Sequence, residues 1–256
     1  MSESLGIVVP AYEPDVEALL AYLEDIRAEL DPTTVRVEID TPQADTRARI
    51  EPVVDELGVA PQRRGKGGAV MDGFDELSTD IFAFADADGS VPATSLATIV
   101  GHVHRGTADV SIGSRRHPES RIVDHQTVAR RFLGDAFAFA ARKLLPTKCY
   151  DYQCGAKALR AEAWDEIGHH CYESGFAWDL EFISVAGSLG YGITEVPVEW
   201  EDHPATTVDP VWTSVELGRA LFDVRRRADA IAASPRYRDT QSTPRSKLTY
   251  TGNNGD

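Results

Sequence analysis

The chain has 256 residues, of which 42% are hydrophobic, and a formal net charge of -15 at pH 7. This length suits one large α/β domain or two small ones, and nucleic-acid binding is disfavoured because no basic face stands out. Only five of the 26 basic residues are Lys, and an acidic surface with little Lys keeps a protein hydrated in concentrated salt, where charge repulsion is screened. We therefore favour a halophilic protein of a high-salt cytoplasm over an ordinary acidic enzyme.

Two further features of the composition bear on the cellular setting. The first residues have no basic segment followed by an apolar one, so no signal peptide is predicted, and no apolar run approaches the ~18 residues of a membrane-spanning helix. The cysteines Cys149, Cys154 and Cys171 are odd in number and irregular in spacing. This favours small core residues over a zinc site and fits a reducing cytoplasm.

Strands and helices alternate through the first half of the chain. Residues 5–9 are nearly all apolar, which is typical of a strand buried on both faces. Further predicted elements are strands at 35–39 and 81–85 and helices at about 16–30, 46–57 and 69–77. Pro52 weakens the second of these helices. The alternation predicts an α/β fold with a mostly parallel sheet and helices on both faces.

The second half is less regular. Its predicted elements are strands at 108–113, 155–159 and 193–200 and helices at about 93–104, 127–145, 177–189 and 212–231, with a short helix around Trp164. Pro197 places the last strand at an edge of the sheet. The chain after residue 233 is polar and has few apolar anchors. We therefore predict a single domain over 1–232 and a disordered tail over 233–256.

The strand at 81–85 is followed by the carboxylates of Asp86 and Asp88. Open α/β sheets bind ligands at the carboxyl ends of their strands. Paired carboxylates there suit a hard divalent cation that can hold the phosphates of a nucleotide. Asp40 ends another strand at the same edge. It either accepts a hydrogen bond from a base or ribose or is simply a turn residue that ends the strand.

Three other polar segments are candidates for function, each with a structural alternative. The glycine-rich segment around Lys66 either cradles a phosphate or forms a tight turn that starts a helix, and it is not a Walker A loop, because Gly follows Lys66. The cluster 151–157 is either a functional loop or an ordinary solvated one. Asp179 and Glu181 either stabilise a helix N-terminus or supply a general base.

Several motifs, in order, resemble family 2 glycosyltransferases. They are Ile7-Val8-Val9-Pro10-Ala11-Tyr12-Glu13, Arg64-Gly65-Lys66-Gly67-Gly68, Phe84-Ala85-Asp86-Ala87-Asp88-Gly89, Gly113-Ser114-Arg115, Asp151-x-Gln153-Cys154-Gly155-x-Lys157 and Glu195-Val196-Pro197-Val198-x-Trp200. Within the family they look like the branch of dolichyl-phosphate glucosyltransferase and dolichol-phosphate mannose synthase, which uses polyprenyl phosphate acceptors. The resemblance covers about residues 5–230.

The resemblance implies a glycosyltransferase A-type fold and an inverting transfer of a hexose. The donor would be a UDP- or GDP-linked sugar, the acceptor a polyprenyl (dolichyl) phosphate and the cofactor Mg²⁺ or Mn²⁺, and the product would serve protein or surface glycosylation. The enzyme would work in the cytoplasm, at the cytoplasmic face of the plasma membrane. The helices at 127–145 and 212–231 would either contact the membrane peripherally or simply pack against the sheet.

The resemblance also assigns roles by position. The nucleoside pocket would be lined by Pro10, Tyr12, Glu13 and Asp40. Lys66 and Asp86 would bind the donor, and Asp88 would ligate the metal that bridges the diphosphate. Arg115 and Arg131 would face the acceptor phosphate. Gln153 would lie near the transferred sugar, and Asp179 or Glu181 would be the base.

The sequence departs from the family pattern at two places. Asp40-Thr41-Pro42-Gln43 replaces the usual Asp-Asp-Gly-Ser, and Thr206-Thr207 replaces a Ser-Lys pair that commonly follows Trp200 in the family. These departures keep two alternatives open. One is a catalytically weak nucleotide-sugar-binding protein in a glycosylation complex, and the other is a glycosyltransferase with a different glycan acceptor.

Overall fold

The main feature of the fold is one large sheet. In the computed structural model, which describes residues 3–123, 128–201 and 210–234, the strands are β1 (Leu5–Tyr12), β2 (Thr34–Asp40), β3 (Glu56–Ala60), β4 (Ile81–Ala85), β5 (Val110–Ser114), β6 (Arg121–Ile122), β7 (Ala156–Arg160), β8 (Ile193–Pro197) and β9 (Glu199–Trp200). Seven of them form the large sheet, and β6 pairs with β9 in a small one.

The helices connect these strands and cover both faces of the sheet. They are α1 (Val16–Leu30), α2 (Ala44–Ile50), α3 (Lys66–Glu76), α4 (Ala93–His104), α5 (Val128–Leu144), α6 (Ala161–Ile167), α7 (Trp178–Ser188) and α8 (Pro210–Ala232). Local sequence explains where some of them begin. Asp15, for example, caps α1 by accepting a hydrogen bond from the Ala18 backbone N–H at 3.1 Å.

The large sheet has the strand order β3-β2-β1-β4-β7-β5-β8. All neighbours are parallel except β7, which is antiparallel to both β4 and β5. The order reverses between β1 and β4, so that the connections leave these two strands in opposite directions. Such a reversal opens a crevice at the carboxyl ends of the strands, where α/β sheets bind ligands.

Two apolar cores flank the sheet. On one face, Leu19 and Ile26 of α1 and Leu96 of α4 pack against the strands. On the other, Phe74 of α3 and Trp178 of α7 lie in one aromatic cluster with ring centroids 6.5 Å apart. Removal of these apolar side chains from water on both faces is the main force that holds the layers together.

The prediction of a helix over 46–57 was wrong in its second part. α2 ends at Ile50, a single 3-10 turn spans Glu51–Val53, and β3 follows. Pro52 has no N–H to continue an α-helix. The strand itself is short and only partly buried because it lies at an edge of the sheet. A short edge strand with little apolar character leaves a weak pattern in the sequence.

Most other predicted elements are confirmed within one to three residues, and β8 lies at an edge of the sheet as Pro197 indicated. The tail proposed over 233–256 lies outside the described residues from 235 onward, as do Thr206 and Thr207. The single domain over 1–232 stays a prediction. Among the described residues, no helix has both the length and the apolar character needed to span a bilayer.

Candidate active site

The turn after β4 presents two carboxylates at the crevice. The Gly89 N–H donates to the Asp86 carbonyl at 3.3 Å, and Gly89 adopts a φ of 66°, in the left-handed region that favours glycine. The Ser90 N–H donates to Oδ1 of Asp88 at 3.0 Å and orients that side chain. Asp88 is exposed, whereas Asp86 is half-buried. The turn therefore offers Asp88 to solvent and directs Asp86 inward.

The side chains at the crevice fit a metal ion that is bound partly by the protein and partly by a substrate. Among the described residues, no three His, Cys, Asp or Glu side chains converge into a site that could hold a metal by itself. Mg²⁺ is usually held by one or two carboxylates together with substrate phosphates and water. Exposed Asp88 has this character, so the residues present fit Mg²⁺ or Mn²⁺ bound together with a diphosphate.

Asp86 belongs to a row of alternating charges that continues into the protein. Lys66 Nζ lies 2.9 Å from Asp86 Oδ1 and 2.8 Å from Asp179 Oδ2. Lys157 Nζ contacts Asp179 Oδ1 and also donates to the Cys154 carbonyl at 2.7 Å. Asp179 and Lys157 are each only 1% exposed. We call these four side chains the charge chain.

The charge chain shifts the pKa of its members. Burial alone would raise the pKa of Asp179, but the ammonium groups of Lys157 and Lys66 outweigh burial and lower it. Burial would lower the pKa of Lys66, and the carboxylates of Asp179 and Asp86 reverse this and raise it. The pKa of Asp86 is raised, chiefly by burial and against the opposing effect of Lys66. Asp179 and Lys66 therefore stay charged at neutral pH.

The glycine-rich segment packs against the residues that precede α7. The Gly68 N–H donates to the Ser174 carbonyl at 2.9 Å, and Gly65, with a φ of 83°, starts α3. A Cβ at Gly67 would lie 2.4 Å from Cβ of Trp178. Glycine is therefore needed here for close packing, and the amide of Gly68 is engaged within the protein. Of the two readings of this segment, the structure favours the helix-initiating turn.

Asp40 holds the start of the same segment. It is 2% exposed and accepts hydrogen bonds from the Arg64 N–H at 2.7 Å, from Arg64 Nε at 2.8 Å and from the Gly65 N–H at 3.2 Å. The carboxylate thus fixes the loop that leads into Lys66. Its contact with a base or ribose stays a prediction.

The other residues assigned to the nucleoside pocket lie where β1 ends. Tyr12 is paired in register with Asp40 of β2, and the guanidinium carbon of Arg63 lies 4.0 Å from the centre of the Tyr12 ring. Pro10 is half-buried, and Glu13 is exposed with a φ of 45°. All of them share the sheet edge of Asp86, and their binding roles stay predictions.

The end of β5 carries a cation in place of a carboxylate. Arg115 makes a bidentate ion pair with Asp151, in which Nε donates to Oδ2 at 2.7 Å and Nη2 donates to Oδ1 at 2.9 Å. Asp151 is 1% exposed, and although burial by itself would raise its pKa, Arg115 and, to a smaller extent, Arg116 lower it. Arg131 lies in α5, but its side chain is outside the described residues.

A single loop, residues 150–155, connects the two sides of the crevice. Glu195 of β8 holds its beginning by accepting the N–H groups of Tyr150 at 2.8 Å and Asp151 at 2.7 Å. The Gln153 N–H donates to Asp151 Oδ1 at 3.0 Å. At its far end, the Gly155 carbonyl accepts the Asp86 N–H at 2.8 Å. The loop therefore lies between the Asp86 side and the Arg115 side.

The two candidate bases are both engaged by protein groups. Both carboxylate oxygens of Asp179 contact lysines. Glu181 is fully buried, accepts the N–H groups of Tyr172 and Glu173, and pairs with Arg227 of α8. These contacts favour structural roles, and the assignment of a base stays a prediction.

Four residues with clear parts in this arrangement had no assigned role from the sequence: Arg63, Asp151, Lys157 and Glu195. Lys157 offered a signal, because it is a lone charge within the otherwise apolar run 154–159. A charged residue inside a buried strand requires a partner. The partner of Lys157 lies 22 residues away in the sequence, so the pattern alone could not name it.

The fold is that of glycosyltransferases of the A type. The structure matches glucosyl-3-phosphoglycerate synthase from Mycobacterium tuberculosis, crystallised with Mn²⁺, UDP and phosphoglyceric acid, with a TM-score of 0.66 and 18% identity over 87% of this chain and 78% of that one. The sequence model of the family described as Glycosyl transferase family 2 matches residues 7–168. The chain belongs to this family.

Curated relatives are similar over much of this chain. Glycosyltransferase AglD of Haloferax volcanii is 27% identical over 85% of this chain and 36% of its own length. Dolichyl-phosphate beta-glucosyltransferase of Mus musculus is 29% identical over 65% and 53%. Undecaprenyl-phosphate mannosyltransferase of Micrococcus luteus is 31% identical over 77% and 83%. The chain thus spans about a third of the first relative and about half of the second.

Proposed function

We propose that the protein transfers a hexose from a UDP- or GDP-linked sugar to a polyprenyl phosphate such as dolichyl phosphate. The observation that carries this proposal is the opposite charge at the ends of β4 and β5. Asp86 and Asp88 follow β4, and Arg115 follows β5, with the loop 150–155 between them. Two of the relatives are named for transfer to dolichyl or undecaprenyl phosphate.

The donor would bind on the β4 side. Asp88 would hold Mg²⁺ or Mn²⁺, which neutralises charge on the departing nucleoside diphosphate when it is bound. Lys66 places a fixed ammonium group beside Asp86, where it would attract the same diphosphate. Tyr12, with Pro10, Glu13 and Asp40 around it, would line the nucleoside pocket. A Mn²⁺–UDP complex in the M. tuberculosis structure supports this arrangement.

The acceptor would bind on the β5 side. Arg115 would attract its phosphate, together with Arg131, and Gln153 would lie near the sugar that passes between the two sides. A lipid phosphate is already ionised at neutral pH, so that its oxygen can attack the sugar without first losing a proton to the protein. This agrees with the engagement of Asp179 and Glu181 by other protein groups.

A lipid acceptor would bring the protein to the cytoplasmic face of a membrane. Phe139 of α5 and Phe222 of α8 are 62% and 61% exposed, and Lys143 lies 5.6 Å from the Phe139 ring. Exposed aromatic rings beside a cation suit the boundary between water and lipid. We expect co-sedimentation with anionic vesicles in high salt, and a protein that stays entirely in the supernatant would contradict peripheral contact.

The transfer itself is tested with labelled donors. Incubation with dolichyl phosphate, Mn²⁺ and each of several UDP- and GDP-sugars should produce labelled lipid from one of them. Asp88→Asn should lower kcat by about a thousandfold, because several kcal/mol of charge stabilisation are lost with the metal. The Asp80 side chain, at the opposite end of β4, accepts hydrogen bonds from the N–H and the hydroxyl of Ser4, so Asp80→Asn should transfer normally.

The outcome also separates the alternatives. Failure to label the lipid with any donor would contradict the proposal. Metal-dependent donor binding without turnover would favour the nucleotide-sugar-binding alternative, and transfer only to a soluble or lipid-linked glycan would favour the other acceptor class.

A further inference from the structure

The charge chain runs from the crevice into the interior. Its members alternate in sign in the order Asp86, Lys66, Asp179, Lys157, and each touches the next. Both ammonium groups also lie 5.2 Å from the centre of the Phe84 ring. The exposed fraction of the side chains falls along the charge chain, from 36% for Asp86 to 1% for Lys157. Only the Asp86 end therefore reaches the crevice.

The inner half of the charge chain, Asp179 and Lys157, lowers the stability of the fold unless it has a role at the outer half, Lys66 and Asp86. Charges removed from water destabilise a fold unless they are paired, and a pair of apolar residues would often fit such a site at no cost. Asp179 and Lys157 are too buried to meet a donor or an acceptor. Their formal charges cancel, and the side chain through which Asp179 reaches Asp86 is that of Lys66.

We propose that Asp179 and Lys157 are positioning residues that hold the ammonium group of Lys66 at Asp86, next to the donor diphosphate. Ordering a free lysine side chain costs up to about 2 kcal/mol, and a partner already fixed in the fold offsets that cost before the donor arrives. Lys157 engages one oxygen of Asp179 and thereby directs the other toward Lys66. This inference rests on the donor site proposed above.

Backbone packing supports the same geometry. Lys66 begins α3 and Asp179 lies in the first turn of α7. The two helix starts meet where Gly67 lies against Trp178. The close contact that requires glycine therefore also holds the start of α3, and with it Lys66, beside Asp179.

Lysine acetylation followed by peptide mapping tests this without any enzyme assay. The chain has only five lysines, and the exposed Lys143 and Lys148 serve as internal references. In Asp179→Asn, release of Lys66 should raise its labelling relative to these references by about tenfold, the factor that 1.4 kcal/mol represents. Lys157→Met should raise it less, because Asp179 still holds Lys66.

Glu181→Gln is the matched control. It removes a buried, ion-paired carboxylate from the same helix, but one that pairs with Arg227 rather than with Lys66. It should lower the melting temperature and leave Lys66 labelling as in the wild type. Unchanged Lys66 labelling in both Asp179→Asn and Lys157→Met, or an equal rise in Glu181→Gln, would overturn the proposal.

Kinetics of transfer supply the second readout. Loss of positioning should raise the donor KM of Asp179→Asn by about tenfold with a smaller change in kcat, and Asp179→Glu should recover part of the loss. If Asp179→Asn instead abolished kcat at unchanged donor KM and unchanged Lys66 labelling, Asp179 would act on the substrate directly. If the wild type transferred no sugar, the proposed function would fail, whereas the labelling would still decide the role of Asp179.

Discussion

The ends of β4 and β5 occupy equivalent places in the fold and carry opposite charges. Both strands lie beside β7 and point toward the same edge of the sheet. β4 is followed by Asp86, which a lysine holds, whereas β5 is followed by Arg115, which an aspartate holds. In each case the partner is more buried than the residue at the strand end.

Under the proposed function, this difference would let one scaffold serve two ligands. A site for a metal-bound diphosphate needs a carboxylate toward solvent and a cation behind it, and a site for a phosphate monoester needs the reverse. The antiparallel strand β7 makes both possible, because the loop that leads into it supplies the Asp151 carboxylate on one side and the Gly155 carbonyl on the other.

Of the changes considered, removal of the Asp151 carboxylate, which holds Arg115 on the β5 side, should lower the free energy of unfolding most. Asp151→Asn leaves Arg115 without its bidentate partner, and we expect a loss of about 3 kcal/mol at pH 7. Because the folded-state pKa of Asp151 is lowered, its contribution is present above the unfolded value of about 3.9 and is lost as pH falls below it. Urea denaturation of the wild type and variant between pH 3 and 7 measures both effects, and parallel curves would contradict this.

The loop 150–155 should also affect the position of the Asp86 carboxylate on the β4 side. A Cβ at Gly155 would lie 1.9 Å from Oδ2 of Asp86, so Gly155→Ala must displace the carboxylate. We expect kcat/KM for the donor to fall by roughly thirtyfold, which corresponds to about 2 kcal/mol. At Gly175 an added Cβ meets no atom within 4 Å, and Gly175→Ala is the control. Equal losses in the two variants would mean that the effect is not specific to Asp86.

Arg115→Lys tests whether the two sides are separable. Lysine keeps the charge but cannot form the bidentate pair with Asp151 or present a planar group to the acceptor. The acceptor KM should rise by about tenfold, or 1.4 kcal/mol, with an unchanged donor KM. Steady-state kinetics with each substrate varied in turn provide the measurement, and an equal rise in both KM values would show that the sides are coupled.

Salt should change the repulsion between surface charges more than the energy of the charge chain or of the buried pair of Arg115 and Asp151. Screening relieves the repulsion of a chain with a net charge of -15, whereas buried pairs are screened much less. We expect molar KCl to raise the melting temperature of the wild type by a few degrees, which corresponds to roughly 1 kcal/mol of stability. The rise should be the same in Asp151→Asn. A melting temperature that falls with KCl would contradict a halophilic protein.

Residues adjacent in sequence to strong patterns were predictable. The run 81–85 and the carboxylates after it identified both the strand and the edge where it ends, because an apolar run of this length must be buried and the next polar residue must emerge. Arg115 after β5 was named only through the family resemblance. β3 was missed, because an edge strand that is buried on few sides needs few apolar residues.

The sequence by itself determined the family, the alternation of strands and helices, and the carboxylates at the end of β4, since these depend on local order and composition. Only the tertiary structure decided what those groups touch. Asp179 meets Lys66 and Lys157 across large sequence separations, and Asp40 turns inward to hold a loop. Ion pairs between distant residues leave no period in a sequence, because their geometry exists only once the layers have packed.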